Sequence, residues 1–363
     1  MVRRAAPRLS AARFRAGASI LGFFCATSAA LALAPACKRT ETPAATTAAP
    51  VPTLRLYVIG GAAGAIEPCG CVKDMLGGID HAAAYLRSQK ARAPHSLLLG
   101  AGPMFFSDPE LAPEDREQAW FKSEALAASL KDTGLVAWAP GANDFAFGPA
   151  KLGELRALSG AQLLGGNVRV DGTALPSEHV VQVNGIDVGI LGLALPRSKS
   201  GLPAGVELDD ARAALRAGAA SLTKKGADLL ILLVAAPRGD ALRLAEEATG
   251  FQVMVLGKSY DEGENNDAPF PPELVGQTLV VQGPNHIQGV AVVDLFVRDG
   301  SLAFADGSGL GASAERESLT RRITELRRRL DGAAGNGASA ADIERGKKDL
   351  ARLEGELGQL GKT

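Results

Sequence analysis

Cys69 and Cys71 sit two positions apart in Glu67-Pro68-Cys69-Gly70-Cys71, separated by a single glycine. Two sulfurs at that spacing can close a strained disulfide, exchange with other thiols, or hold a soft ion such as Cu(I) or Zn. In an oxidising compartment the plainer alternative is a local disulfide staple. The spacing is not Cys-x-x-Cys-His, which excludes a c-type haem. The remaining cysteines, Cys25 and Cys37, belong to the N-terminal segment. There are four histidines, and their settings read as structural. His81 follows Asp80 at a helix start, His95 lies in a loop, His179 opens a strand, and His286 stands in Gly283-Pro284-Asn285-His286. Asp261 to Asp267 (DEGENND) gathers four carboxylates in one loop. Such a loop takes Ca²⁺ weakly at best, and a solvated loop is the simpler reading.

The N-terminus reads as an address. Arg3, Arg4, Arg8, Arg13 and Arg15, with no acid among them, precede an apolar stretch from Ala16 to Ala36. The stretch ends in Leu33-Ala34-Pro35-Ala36-Cys37, which resembles a bacterial lipoprotein signal that leaves Cys37 lipidated at the new N-terminus. Ala34 departs from the branched residue favoured three places before the cysteine, so an ordinary secretory signal cut near Ala36 is the alternative. A plain membrane anchor fits less well, because the apolar stretch is short. Lys38 after the cysteine resembles outer-membrane sorting. Residues 38–52, rich in Ala, Thr and Pro, read as an extended tether. Losing residues 1–36 with their five arginines takes the net charge from −1 to −6, which argues against a nucleic-acid partner.

The elements that must position these residues alternate. Apolar runs at 54–60, 96–101, 135–140, 161–168, 179–185, 187–194, 228–235, 251–257, 278–283 and 290–297 read as strands. Runs at 79–91, 114–131, 208–225 and 240–248 read as helices between them. Strands that are apolar on both faces call for cover on both faces, and Asn184-Gly185 reads as the turn of a hairpin. The sheet structure is therefore mixed. In the last fifty residues, Leu319, Ile323, Leu326 and Leu330, and then Leu350, Leu353, Leu357 and Leu360, make two heptad seams. The glycine-rich break DGAAGNGASAAD between them predicts an antiparallel helical hairpin that packs on the domain or pairs with a partner. The Arg327-Arg328-Arg329 run sits among 11 basic and 9 acidic residues, which reads as a solvated face.

Five landmarks along residues 53–300 resemble the metallophosphatase (calcineurin-like) domain of the 5′-nucleotidase family. They are LRLYVIG with Gly61-Ala62-Ala63-Gly64 and Gly77-Gly78; LLLGAGP; Gly141-Ala142-Asn143-Asp144-Phe145 with Gly148; DLLILLVAAPRGD; and VMVLGKSY. Asn167 and the VNGIDVGILGL hairpin also look like the family. The resemblance implies a four-layer α/β domain, two mixed β-sheets flanked by helices, and a dinuclear metal centre that activates water. Residue by residue, that centre is missing. The family's ligand positions fall on Gly61, Ala63, Pro103, Ala142, Asn143, a site near Val234 to Ala236, Lys258 and Tyr260. Divalent cations of this kind need carboxylate or imidazole ligands, and Lys258 adds a positive charge where they would bind. The same alignment places Asn143, Asp144, Arg238, Lys258 and Tyr260 round the old site. There Lys258 and Arg238 either hold an anion or satisfy neighbouring groups.

These readings give a signal peptide at 1–36, a tether at 37–52, the metallophosphatase-like domain at 53–311 and the hairpin at 312–363. The expected function is a lipid-anchored, non-hydrolytic binding or interaction module in the periplasm, on the outer membrane. The alternatives are a thiol or soft-metal protein acting through Cys69 and Cys71, and a residual metal-dependent phosphoesterase. No cofactor is expected beyond Cu or Zn at the cysteine pair. The expected partners are the membrane, through the Cys37 lipid, and a protein met by the hairpin.

Overall fold

The computed structural model describes residues 50–69, 76–196, 202–258, 270–307, 309–333 and 340–360. The signal peptide, Cys37 and most of the tether lie outside the described residues. So do Cys71, Tyr260 and the DEGENND loop.

The chain runs β1 (Leu54–Gly60), β2 (Pro68–Cys69), β3 (Leu76–Gly77), α1 (Ile79–Gln89), β4 (Ser96–Gly102), α2 (Arg116–Thr133) and β5 (Leu135–Pro140). A 3-10 turn (Ala142–Phe145) leads to α3 (Pro149–Ser159), β6 (Gln162–Leu163), β7 (Val168–Val170), β8 (Thr173–Ala174), β9 (Glu178–Val183) and β10 (Ile186–Ala194). Then come β11 (Val206–Leu208), α4 (Ala211–Lys224), β12 (Leu229–Ala235), α5 (Arg238–Glu247), β13 (Val253–Gly257), β14 (Glu273–Val275), β15 (Thr278–Gln282) and β16 (Ala291–Leu295). Two long helices close it, α6 (Leu310–Ala333) and α7 (Ala340–Gln359).

Two larger sheets carry the domain. One orders its strands β16-β1-β4-β5-β6 and the other β14-β15-β13-β12-β10-β9. Their centres are parallel, while β16, β14 and β9 pair antiparallel at the edges, so both sheets are mixed. Alternation along each strand sorts side chains into layers, because successive residues point to opposite faces. On β12, Leu229, Ile231 and Leu233 face the other sheet, and Leu230, Leu232 and Val234 face the outer layer of α4 and α5. On β1, Leu56 and Val58 face inward, and Tyr57 and Ile59 face α1 to α3. Three apolar cores thus separate four layers, helix, sheet, sheet and helix. Each buried aliphatic side chain contributes roughly 1.5–3 kcal/mol.

Local signals set the element ends. Asp210 caps α4 by accepting from Ala213 N at 2.7 Å, so that helix starts at Ala211 rather than 208. Asn184 (φ 52°) and Gly185 (φ 77°) make the left-handed turn of the β9–β10 hairpin. Two features depart from the sequence reading. AQLLGGNV is no single strand: Gly165 and Gly166 break it, and β6 and β7 join different sheets. The helix α3 was not expected. Gly153 inside it blurs the apolar period, and its start is marked only by Pro149 at the first position after Gly148.

Candidate site at the strand ends

The family-like positions sit on different loops, and the fold gathers them along the carboxyl ends of both sheets. Backbone hydrogen bonds tie the loop after β1 to the loop after β4. Gly61 N donates to Ala101 O (3.0 Å), Ala63 N to Pro103 O (2.9 Å) and Gly64 N to Met104 O (3.0 Å). The loop after β15 joins them, with His286 N donating to Gly61 O at 2.9 Å. On the second sheet, Ala236 N donates to Gly257 O at 3.0 Å, linking the ends of β12 and β13.

Glycines let the two sheets touch here. A Cβ placed on Gly257 would lie 1.9 Å from Ala101 O, and one on Gly102 would lie 2.6 Å from Lys258 O. A Cβ on Gly141 would lie 2.5 Å from Pro103 N. Pro103 is therefore wedged between the β5 turn and the β1 loop. Close by, a narrow crevice is lined by Pro140, Ala142, Phe145, Ala194, Val206 and Ala235, with room of about 10 Å³, a single water at most. Its apolar lining includes β11, which packs across the ends of β5, β10 and β12.

The polar groups turn inward. Asp144 is buried and accepts three backbone N–H groups: Met104 N at 2.7 Å, Phe105 N at 2.8 Å and Gly141 N at 3.0 Å. Burial pushes its carboxyl up to about 7 against the pull of those donors. Both carboxylate oxygens thus clamp the β4 loop to the β5 turn rather than facing solvent. Asn143 is also buried. Its Nδ2 donates to Ser107 O at 2.5 Å, while its Oδ1 is buried without a hydrogen-bond partner. Asn167 acts as a peptide mimic, donating to Ala194 O (2.7 Å) and accepting from Ala194 N (2.9 Å). That bond pair pins the β7 strand to the end of β10.

Arg238 opens α5, and its guanidinium is engaged. Nη2 donates to Glu273 Oε2 at 2.8 Å, Nη1 to Gln282 Oε1 at 3.5 Å, and the group lies 4.5 Å over the Phe270 ring. Lys258 is half-buried and has an interaction partner. Cys69 ends β2, opposite Leu76 of β3. That small hairpin leans on the site's rim, since a Cβ on Gly77 would lie 2.9 Å from His286 O. Three residues here hold left-handed backbone without being glycine: Ala63 (φ 50°), His286 (φ 51°) and Ile287 (φ 54°). For a β-branched residue such as Ile287 this is a strained state, costing of order 1–3 kcal/mol. No local pattern in the sequence announces it. Burial lowers the His179 imidazole below its ordinary value, and that side chain lies on the edge strand β9, in neither set of strand-end loops.

Comparison with known proteins gives the fold a name. The 5′-nucleotidase precursor of Thermus thermophilus superposes with a TM-score of 0.58 at 23% identity, covering 69% of this chain and 53% of that one. The fold is that of the metallophosphatases. The calcineurin-like phosphoesterase YfkN of Bacillus subtilis agrees, with a TM-score of 0.55 at 15% identity over 68% of this chain and 86% of YfkN. The sulfate thiohydrolase SoxB of Thermus thermophilus also agrees, at 0.58 and 17% over 69% of this chain and 55% of SoxB. In sequence, the endonuclease YhcR of Bacillus subtilis is 25% identical over 256 residues, 62% of this chain and 20% of that protein. No family model matches the chain. The chain spans about half the length of the Thermus 5′-nucleotidase and a fifth of the endonuclease.

The positions that the sequence resemblance aligns with the family's ligands carry few donor side chains. Gly61, Ala63, Pro103 and Ala142 offer no side-chain donor, and Asn143 spends its amide N–H on Ser107. The carboxylate that follows Asn143 in the chain, Asp144, is filled by three N–H groups. Among the described residues no three His, Cys, Asp or Glu side chains come together as a metal site.

Proposed function

We propose that this chain is a non-hydrolytic relative of the metallophosphatases, a binding or interaction module that is exported and held to a membrane by lipid at Cys37. The inward turn of Asp144 carries the reading. Asp144, next to the aligned ligand positions in the chain, fastens the backbone, and Gly61, Ala63, Pro103 and Ala142 carry only hydrogen, methyl and pyrrolidine groups. Water activation needs a metal or a poised base facing a substrate, and this arrangement supplies a packed edge instead. Among the described residues no helix is long and apolar enough to cross a membrane.

A second reading concerns Cys69 and Cys71. The hairpin that carries Cys69 borders the strand-end loops through Gly77 and His286. A pair formed by Cys69 and Cys71 would bind Cu(I) or Zn, or exchange with other thiols.

One experiment separates these readings. The full chain in detergent is analysed for bound metal as purified, and again after incubation with Mn²⁺, Zn²⁺ or Cu(I). Nucleotide hydrolysis is followed in parallel. The proposal expects no turnover and no metal beyond the thiols. About two Mn or Zn per chain, with turnover abolished by chelation, would overturn it in favour of a rebuilt phosphoesterase. About one Cu or Zn per chain, lost in Cys69→Ser/Cys71→Ser, would establish the thiol reading.

A further inference from the structure

The leucine cluster of α6 and α7 is separate from the three cores of the α/β domain, although α6 also lies against β14. Leu319, Ile323 and Leu353 are buried, and Leu326, Leu350, Leu357 and Leu360 pack on them only half-covered. Among the described residues this cluster draws its apolar side chains from the two helices alone. The helices run antiparallel: Arg316 Nη2 reaches Leu360 O, Arg327 reaches Glu354, and a Cβ on Gly346 would meet Leu330. Two helices of this length that share so small a core are marginal on their own, and such units gain stability by adding helices to the seam.

The charges beside the seam differ between its two flanks. On one flank, Arg327 Nη2 meets Glu354 Oε1 at 2.6 Å and closes the hairpin. The other flank is the row directly before every second core position. On α6 these are Arg322 and Arg329, before Ile323 and Leu330; on α7 they are Asp349 and Glu356, before Leu350 and Leu357. In each row the two residues are seven apart and so share one flank, a basic pair on α6 and an acidic pair on α7. In antiparallel neighbours, such rows face each other. Within the chain, Arg329 pairs with Glu325, and Asp349 and Glu356 both pair with Arg352, all along their own helices. Exposed pairs of this kind are worth only a few tenths of a kcal/mol and are readily exchanged.

We propose that a second copy of this chain covers the open leucine face. Two hairpins pack side by side about a two-fold axis along the bundle, with α6 of each lying against α7 of the other. Every neighbouring pair is then antiparallel, the arrangement of an up-down four-helix bundle. The contact is isologous, since the basic row of each copy meets the acidic row of the other. The half-covered leucines become a closed core. This reading is independent of whether the strand-end site is hydrolytic.

The test is sedimentation equilibrium of the full chain in density-matched detergent, with helicity followed by circular dichroism. The wild type is expected to dimerise reversibly. Arg322→Glu/Arg329→Glu is expected to weaken the dimer by about tenfold or more while leaving helicity unchanged, because the seam and the Arg327–Glu354 bridge remain. Adding Asp349→Arg/Glu356→Arg to the same chain is expected to restore it. A wild type that stays monomeric up to its solubility limit would overturn the proposal. So would a dimer indifferent to the charge reversal, or one that the fourfold variant fails to restore.

Discussion

The space between the two sheets and the carboxyl edge of those sheets are built from the same strands by opposite rules. Between the sheets, Leu56, Leu99, Ile231, Leu233 and Val255 fill the gap with branched side chains. A few residues further along the same strands, Gly102 and Gly257 remove side chains altogether, and backbone meets backbone. The first region is stabilised by what its side chains fill. The second depends on what is left out, on the backbone N–H groups that Asp144 accepts and on the bond pair of Asn167. An open edge of that kind is where α/β sheets ordinarily receive a ligand. Here, backbone contact between the two sheets closes that edge.

The contrast is broken most forcefully by changing one residue in each region. Ile231→Ala should cost about 2–5 kcal/mol, the lost transfer energy plus a cavity. Gly257→Ala adds a single methyl, yet it should cost as much or leave the chain unfolded, because the atoms it meets are the backbone of Ala101 and Gly102. Urea denaturation compares the two. A Gly257→Ala variant within about 1 kcal/mol of wild type, roughly the scale of an ordinary surface change, would mean that the edges are not in contact.

Asp144 gives the next largest effect. Its folded-state carboxyl, at about 7, lies above its ordinary value of 3.8. The folded chain therefore holds that proton more tightly than the unfolded chain does. The stability contributed by this group is fully present below about pH 4 and is lost as pH rises through 7. Asp144→Asn should remove that part of the pH profile. It should also cost about 1–3 kcal/mol, since the amide N–H₂ would face Gly141 N–H and leave that donor unsatisfied. The check is a set of denaturation midpoints between about pH 4 and 8 for both proteins, the window set by the two values. Identical profiles would remove Asp144 from its role as the buried fastener.

The two regions were not equally legible in the sequence. Unbroken apolar runs in LLILLVA and VMVLG announce strands covered on both faces, and Asn184-Gly185 announces its hairpin, because local pattern and tertiary role agree there. The five glycine-marked landmarks were enough to name the fold. What Asp144 does was not legible. A carboxylate after Gly-Ala-Asn reads as a cleft residue, and only the tertiary structure brings the N–H groups of Met104 and Phe105 to it. The left-handed Ile287 was equally hidden, since β-branched residues carry no local signal for that conformation. Hydrogen bonding between distant loops decides both cases, and spacing along the chain does not record it.

Arg238 sharpens the comparison by the smallest margin. As the surviving cation of a ligand site, its loss would cost little stability and would abolish anion binding. As part of a closed edge, its loss should be felt only through Glu273 and Phe270. The geometry favours the second. The guanidinium is one-fifth exposed, bonded to Glu273 Oε2 at 2.8 Å and stacked 4.5 Å over Phe270. A partly exposed ion pair with a cation–π contact is worth about 0.5–1 kcal/mol. Arg238→Ala should therefore lower stability by about that amount in urea, and titration of inorganic phosphate by calorimetry should give the same null heat for variant and wild type. Phosphate binding by the wild type that disappears in Arg238→Ala would show that the edge still opens to an anion, and the two regions would then differ in degree rather than in kind.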